Sequence, residues 1–146
     1  MEIQKLGTDE ISEFKSLVQI FRLVFENTEA GPDDNHLKKL ISNPDFLVFV
    51  VKIDGCVVGG LTIYVLNQYY SAKPLAYIYD VGMAPEYQGK GLGKALISEV
   101  CSYCKTNGFD DAYVEAESDD MDAVRFYRKT NFTREMNATH FTYSFD

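Results

Sequence analysis

The chain has 146 residues, of which 22 are acidic and 14 are basic, so its formal charge at pH 7 is −8. We expect residues 1–146 to form one domain, since globular domains commonly hold about 100–150 residues. Hydrophobic residues make up 46% of the sequence, which excludes a mainly disordered chain. An acidic chain without a Lys/Arg cluster is also poorly suited to nucleic acid, so a cationic or neutral partner is expected.

No feature of the chain predicts secretion, a membrane partner or a metal site. The longest apolar runs, 46–51 and 61–66, are too short for a bilayer span of about 20 residues, and the N-terminus lacks a signal-peptide pattern, so we expect a cytoplasmic protein. Cys101 and Cys104 fall late in a predicted helix, where they indicate ordinary thiols. The two histidines, His36 and His140, are isolated, which predicts no metal site.

In chain order, the first half predicts a strand, two helices and a hairpin. A weak strand covers 1–5, and apolar residues at three- and four-residue steps predict a helix over about 9–26, with Thr8-Asp9 as its cap. A short helix around 36–41 ends before Asn43-Pro44. Two β-rich runs, Phe46–Ile53 and Cys56–Leu66, flank a tight turn at Asp54-Gly55 and predict an antiparallel hairpin.

The second half alternates strands with helices. The pattern predicts a strand over Leu75–Met83, a long helix over 91–107 that Gly108 ends, a strand over 112–116, a helix over 119–129, and strands over 132–136 and 140–145. This order indicates a mixed α/β domain of three layers.

A glycine-rich segment from Gln88 to Gly93 joins a predicted strand to a long helix, and such a junction presents backbone N–H groups to an anion such as phosphate. A mononucleotide P-loop does not fit, because Ala84 and Gly91 stand where a glycine and a hydroxyl residue are needed. A dinucleotide fingerprint does not fit either, because Lys94 replaces its last glycine.

The pattern Gln88-x-x-Gly91-x-Gly93, after a strand that ends Val81-x-Met83-x-Pro85, resembles the acetyl-CoA signature of the GNAT N-acetyltransferase superfamily. The resemblance implies a central mixed, largely antiparallel sheet flanked by helices, with acetyl-CoA as acetyl donor. It also implies that loop N–H groups hold the pyrophosphate and that the strand backbone pairs with the pantetheine arm. The implied cofactor-binding residues are Val81, Gly82, Met83, Gln88, Gly89, Lys90, Gly91, Leu92, Gly93 and Lys94.

The segment 123–132 resembles the Ala-x-x-Phe-Tyr-x-x-x-Gly-Phe motif of the same superfamily. Tyr127 matches a tyrosine that often lies near the CoA sulfur, where its hydroxyl would protonate the leaving thiolate. The alternative is that Tyr127 has no catalytic role and is a core aromatic residue beside Phe126. Asn131 replaces the usual glycine, and asparagine tolerates the left-handed backbone that such a turn uses.

A narrower resemblance, to GNAT-type aminoglycoside 3-N-acetyltransferases, rests on 75–81 and 113–120 and implies a polycationic aminosugar as acceptor. Asp80, on an otherwise apolar strand, would deprotonate or position the amine, with a structural hydrogen bond to the loop as the alternative. The other acidic residues before the second motif would bind the acceptor, although solvated helix ends also favour carboxylates. The implied acceptor-binding residues are Asp80, Glu115, Glu117, Asp119 and Asp120.

These resemblances imply direct acetyl transfer to the primary amine of a small cationic molecule in a ternary complex. A polyamine, an amino acid or a protein N-terminus is the alternative acceptor, and a non-catalytic acyl-CoA-binding protein is the alternative class. GNAT relatives are often homodimers. The aromatic segment 140–145 could therefore pair across two subunits or complete the sheet of one chain.

Overall fold

A five-stranded sheet with helices on both faces forms the protein, described for residues 1–145 in a computed structural model. The strands lie in the order β1 to β5, and every neighbouring pair is antiparallel except β4 and β5, which are parallel. The mixed α/β fold predicted from the sequence is thereby confirmed. The elements are β1 Glu2–Lys5, α1 Ile11–Val24, α2 Asp34–Ile41, β2 Phe46–Ile53, β3 Cys56–Leu66, β4 Leu75–Met83, α3 Leu92–Thr106, β5 Asp111–Val114 and α4 Met121–Arg128.

Alternate residues of β2 belong to two separate cores, as the period of two in a strand requires. Phe46, Val48 and Val50 face α1 and α2, whereas Leu47, Phe49 and Val51 belong to the core that includes α3. Every one of these six side chains is buried. The sheet is therefore the middle layer of three.

The β2–β3 turn has the backbone that its sequence predicts. Asp54 and Gly55 both have positive φ, 51° and 79°, as the two central residues of a tight hairpin turn need. The observed bounds of both strands match the prediction.

The predicted cap of α1 is wrong. The helix begins after Glu10, whose side chain does not cap it and instead accepts a 2.8 Å hydrogen bond from the Gly7 backbone N–H. That bond is the main reason why the pKa of Glu10 lies below its ordinary value. Asp33 does cap α2, because its carboxylate accepts a hydrogen bond from the His36 N–H at 3.0 Å.

The two strands predicted over 132–136 and 140–145 do not form. All residues from 131 to 145 are exposed, and within the described chain none of their backbone groups is hydrogen-bonded to another backbone group. A β-favouring sequence becomes a strand only where another strand lies beside it, and no strand lies beside this segment. The predicted strand over 112–116 is also shorter than expected, because β5 ends at Val114.

In the described part of the chain no helix is long and apolar enough to cross a membrane. The longest, α3, has 15 residues and ends where Gly108, with a φ of 77°, allows the chain to turn. Within α3, burial raises the pKa of Cys104 to about 11, so this thiol is protonated at neutral pH.

Candidate active site

A β-bulge in β4 creates the central feature of the site. Leu61 of β3 pairs with Val81, whereas Ile63 pairs with Ile78, so Thr62 alone lies opposite Tyr79 and Asp80. An extra residue of this kind bends a strand and redirects its side chains.

The two parallel strands separate at the same point. Pairing between β4 and β5 ends at Ile78 and Val114, although β4 continues to Met83. Among the described residues, no strand lies beside the outer edge of β4 from Tyr79 to Met83. This edge can therefore accept an extended ligand as an added strand would bind.

The glycine-rich loop follows directly. A short 3₁₀ turn, Pro85–Tyr87, leads into the loop, and the Gln88 side-chain amide donates a 3.0 Å hydrogen bond to the Met83 carbonyl. Gly89 and Gly91 have φ values of 74° and 81°, which side chains rarely allow. A Cβ added at either position would meet nothing within 4 Å, so open space lies in front of the loop.

The start of α3 lacks a side-chain cap. Gly91 is its N-cap residue and has no side chain to accept a hydrogen bond from the first turn. Unpaired N–H groups and the positive end of the helix dipole attract anions. Lys90 adds a positive charge, with its Nζ 5.5 Å from the centre of the Tyr87 ring. Together, these features suit a pyrophosphate.

Gly93 has a different role. A Cβ at this position would lie 2.9 Å from two ring atoms of Phe126 on α4. Gly93 is therefore needed for close contact between α3 and α4, which carries Tyr127 beside Phe126. Gly82 similarly allows α1 to cross β4, because an added Cβ would lie 3.2 Å from Val24 and 3.3 Å from Phe21.

Asp80 is half-buried in the bulge and has no hydrogen bond or ion pair within the described chain. The expected alternative, a structural hydrogen bond to the loop, is not formed. Desolvation raises the pKa of this carboxyl group above its ordinary value. The carboxylate is therefore available to a ligand.

Asp80 lines a cavity of about 260 Å³ between the sheet and the first two helices. Aromatic and aliphatic side chains form most of its wall, and the polar contributors include Arg22, Asn27, His36 and Thr62. The full lining is Phe14, Val18, Phe21, Arg22, Phe25, Asn27, Pro32, His36, Leu37, Leu40, Phe46, Thr62, Tyr64 and Asp80.

Tyr127 is half-buried on α4 and packs against the α3 core, with its ring 4.9 Å from that of Phe126. Burial raises the pKa of Tyr127 to about 12, and the negative charges of Asp120 and Asp80 contribute further. The phenol is thus protonated at neutral pH. Tyr127 and Asp80 also lie close enough to influence each other electrostatically.

The remaining acidic candidates differ in their surroundings. Glu115 accepts a 2.8 Å hydrogen bond from the Tyr77 hydroxyl, and Asp120 caps α4 by accepting one from the Ala123 N–H at 3.2 Å. Glu117 and Asp119 are exposed, and their side chains have no hydrogen bond or ion pair in the described chain. The structure therefore brings Asp120, but neither Glu117 nor Asp119, into electrostatic contact with Tyr127.

A row of four tyrosines crosses three strands, and sequence reasoning missed it. The ring of Tyr79 lies 5.4 Å from Tyr64 and 5.6 Å from Tyr77, edge to face in both cases. Tyr77 stacks on Tyr113 at 4.8 Å. This tyrosine row runs from the Asp80 cavity, which Tyr64 lines, to Glu115. The alternation Tyr77-x-Tyr79 was the available signal, since residues two apart share a face of a strand.

The chain matches the model of the Acetyltransferase (GNAT) family over residues 14–132. An aminoglycoside acetyltransferase from an uncultured soil metagenomic sample, solved in complex with sisomicin, is 40% identical. It has a TM-score of 0.97 over 99% of this chain and 96% of that one. An aminoglycoside N-acetyltransferase solved with CoA is only 14% identical, with a TM-score of 0.77 over 97% and 93% of the two chains, and shares the fold alone.

A curated relative, the mycothiol acetyltransferase of Pseudarthrobacter chlorophenolicus, is 34% identical over 92 residues, or 63% of this chain and 28% of its own length. The chain thus spans about a quarter of the curated relatives that it matches. The family match, by contrast, covers most of the chain, and the fold agrees with it along nearly the whole length. The chain therefore belongs to the GNAT family of acetyltransferases.

Proposed function

We propose that the chain is an acetyl-CoA-dependent N-acetyltransferase that acts on a primary amine of an aminoglycoside. One observation carries the proposal: Asp80 presents a half-buried, unpartnered carboxylate where β4 separates from β5. An amine held beside this carboxylate would lie next to the free edge of β4 and within the electrostatic reach of Tyr127.

The residues present fit the donor, and acetyl-CoA would supply the activated acetyl group as a thioester. The open loop with positive φ at Gly89 and Gly91, together with the uncapped start of α3, suits the pyrophosphate. The outer edge of β4 near Val81, which no strand covers in the described chain, suits the amide-containing pantetheine arm, and it ends where the Met83 carbonyl accepts the hydrogen bond from Gln88. We assign donor binding to 81–83, 88–92 and Lys94, and to the backbone N–H of Gly93, whose lack of a side chain serves the contact with α4.

Asp80 attracts the acceptor ammonium and takes its proton, directly or through water, which leaves a neutral amine able to attack the thioester carbonyl. A raised carboxyl pKa makes Asp80 a stronger base than an exposed aspartate. The backbone near Met83 polarises the carbonyl oxygen. As the C–N bond forms and the C–S bond breaks, the second proton of the nitrogen would pass to water, while Tyr127 would donate its phenolic proton to the sulfur and regain one from solvent.

The aminoglycoside assignment rests on similarity and on chemistry. The 40%-identical neighbour was solved with sisomicin, which is a cationic aminosugar. In this chain, the tyrosine row provides flat rings for sugar faces and cations, and Asp80 and Glu115 lie at opposite ends of it. The net charge of −8 also favours a cationic acceptor.

The test measures CoA thiol release with a panel of amines that contains sisomicin, spermidine, free amino acids and a peptide with a free N-terminus. We expect turnover with sisomicin, and turnover with spermidine alone would refute the aminoglycoside assignment. Tight CoA binding without turnover on the whole panel would instead support the non-catalytic alternative.

Two substitutions test the residue roles. A general acid or base commonly accelerates the catalysed reaction about 10²–10⁴-fold. Asp80→Asn and Tyr127→Phe should therefore each lower kcat at least about tenfold. The matched controls are Asp9→Asn and Tyr70→Phe, which change exposed side chains outside the site. If both site variants kept the kcat of their controls, the assigned roles would be wrong.

A further inference from the structure

The cavity between the sheet and the first two helices has a wall made largely of aromatic rings. The ring centre of Phe46 lies 5.9 Å from that of Phe14 and 5.2 Å from that of Tyr64. On the α1 side, the ring centres of Phe21 and Phe25 lie 5.5 Å apart. Aromatic rings favour a further ring placed edge to face or offset against them. Such a wall suits a ring without hydroxyl groups, because each hydroxyl would lose its hydrogen bonds to water there.

The charge of the cavity matches a single ammonium group. Among the lining residues of the described chain, Asp80 is the only carboxylate. The guanidinium of Arg22, which also lines the cavity, donates a hydrogen bond to the backbone carbonyl of Glu29 in the loop between α1 and α2. A polycation would bring charges that one carboxylate cannot balance into apolar surroundings, which costs free energy. A monoamine avoids that cost.

Thr62 supplies a second polar group beside the carboxylate. This residue lies opposite Asp80 in the bulge, lines the same cavity and is only 6% exposed. Its hydroxyl forms no hydrogen bond within the described chain, although buried polar groups are nearly always paired. A hydroxyl oxygen accepts a hydrogen bond from an ammonium group. Thr62 and Asp80 are therefore both available to the nitrogen of one ligand.

The size of the cavity limits its occupant to a small molecule. Its volume is about 260 Å³, below the roughly 300–1,000 Å³ of sites for drug-sized ligands. A cavity of about 150 Å³ holds benzene, so the space here suffices for one such ring with a short alkyl arm. An aminoglycoside has several sugar rings and is too large to enter. Under the proposed function it reaches Asp80 from the tyrosine row instead.

We propose that the chain also acetylates small aromatic monoamines, with the aromatic ring in this cavity and the amine between Asp80 and Thr62. The inference rests on the proposed function, because it uses the same carboxylate and the same acetyl donor. The nitrogen attacks the acetyl carbonyl, a C–N bond forms and the C–S bond breaks, which yields the N-acetyl amine and the CoA thiol. The ammonium loses two protons and the sulfur gains one, so each turnover releases one proton to solvent.

CoA thiol release and mass spectrometry of the product test this activity. The acceptors are 2-phenylethylamine, sisomicin and ethylamine, which has the same aminoethyl group without the ring. Burial of one phenyl group is worth about 10- to 100-fold in binding. We therefore expect kcat/KM for 2-phenylethylamine to exceed that for ethylamine at least about tenfold.

The outcomes separate this inference from the proposed function. Equal kcat/KM for 2-phenylethylamine and ethylamine, or no acetylated 2-phenylethylamine from a chain that acetylates sisomicin, would overturn the inference and leave the proposed function intact. Selective acetylation of 2-phenylethylamine without acetylation of sisomicin would support the inference and refute the aminoglycoside assignment. Absence of both products would overturn both.

Two tryptophan variants on α1 test where the aromatic ring binds. Val18→Trp fills the cavity, whereas the control Leu23→Trp places the same side chain at an exposed position outside it. We expect Val18→Trp to lower kcat/KM for 2-phenylethylamine at least about tenfold more than for sisomicin, and Leu23→Trp to leave the ratio unchanged. An equal effect of Val18→Trp on both acceptors would overturn the assignment of the ring to this cavity.

Thr62→Val is the second variant, and it keeps the test decisive if Val18→Trp does not fold. It removes the hydroxyl with little change in side-chain volume. Loss of a hydrogen bond to a charged group should raise KM for 2-phenylethylamine about tenfold. An unchanged KM in the folded variant would overturn the assignment of the amine to this cavity.

Discussion

Replacing Gly93 by alanine tests whether the last glycine of the loop motif exists for helix packing rather than for phosphate binding. The added Cβ would lie 2.9 Å from Cε1 and Cζ of Phe126, closer than carbon atoms tolerate. Phe126 must then move, and Tyr127 with it, because the two residues are neighbours in α4.

The expected change in the unfolding free energy of Gly93→Ala is the difference between two opposing effects. Overpacking of this kind costs about 1–3 kcal/mol of unfolding free energy, whereas replacing Gly by Ala within a helix returns up to about 1 kcal/mol. We therefore expect Gly93→Ala to destabilise the protein by up to about 2 kcal/mol. Phe126→Leu removes the clashing ring atoms, so in that background Gly93→Ala should be neutral or stabilising.

Urea unfolding of the parent, the two single variants and the double variant gives the coupling free energy directly. We expect the double variant to be more stable than the sum of the single effects by at least about 1 kcal/mol, which is within the usual range for residues in contact. Additive effects would show that Gly93 and Phe126 are not in the close contact described here, and the packing explanation would fail.

Three further predictions concern the sheet, the carboxylate and the acceptor. In Gly60→Ala, the new Cβ would clash with the Phe49 carbonyl. We therefore expect the free energy of unfolding, measured with urea, to fall by about 3 kcal/mol or more. The control Gly7→Ala should lower it by less than about 0.5 kcal/mol. Asp80→Asn should raise the thermal midpoint at pH 7, because the folded protein raises the pKa of this carboxyl and so disfavours its ionised form. That gain should disappear below the ordinary pKa of 3.8, where Asp80 is protonated in both states; an equal gain at all pH values would contradict the desolvation argument. Added salt should raise KM for a polycationic amine more than KM for acetyl-CoA, and equal effects would argue against attraction by the acidic site.

Local chemistry was sufficient to predict most of the elements. Asp54-Gly55 allows positive φ at both turn positions, and the flanking strands therefore begin and end as predicted. The glycine-rich junction before α3 was also predictable from the sequence, because a strand, a glycine-rich turn and a helix follow each other along the chain.

The features that required the structure depend on contacts between distant residues. The bulge at Tyr79 and Asp80 comes from the pairing register with β3, which the sequence of β4 alone does not determine. The tyrosine row depends on that same pairing, because its members come from three strands. The packing role of Gly93 depends on the position of Phe126 in α4, which the loop motif alone does not reveal.

The prediction of two last strands failed for a related reason. Alternating aromatics at 141, 143 and 145 indicate a strand, but they do not identify the edge with which it pairs. The described chain leaves that segment exposed and β5 unpaired on its outer side. An alternating pattern therefore predicts a strand, but it does not establish that a neighbouring strand is present to pair with it.

The most direct test of the central claim is mass spectrometry and NMR of sisomicin after incubation with the protein and acetyl-CoA labelled in its acetyl group. We predict that the labelled acetyl group appears on one primary amine of sisomicin. Asp80→Asn and Tyr127→Phe should slow its appearance at least about tenfold relative to Asp9→Asn and Tyr70→Phe. Absence of labelled product from a chain that binds CoA, or equal rates in all four variants, would contradict the account.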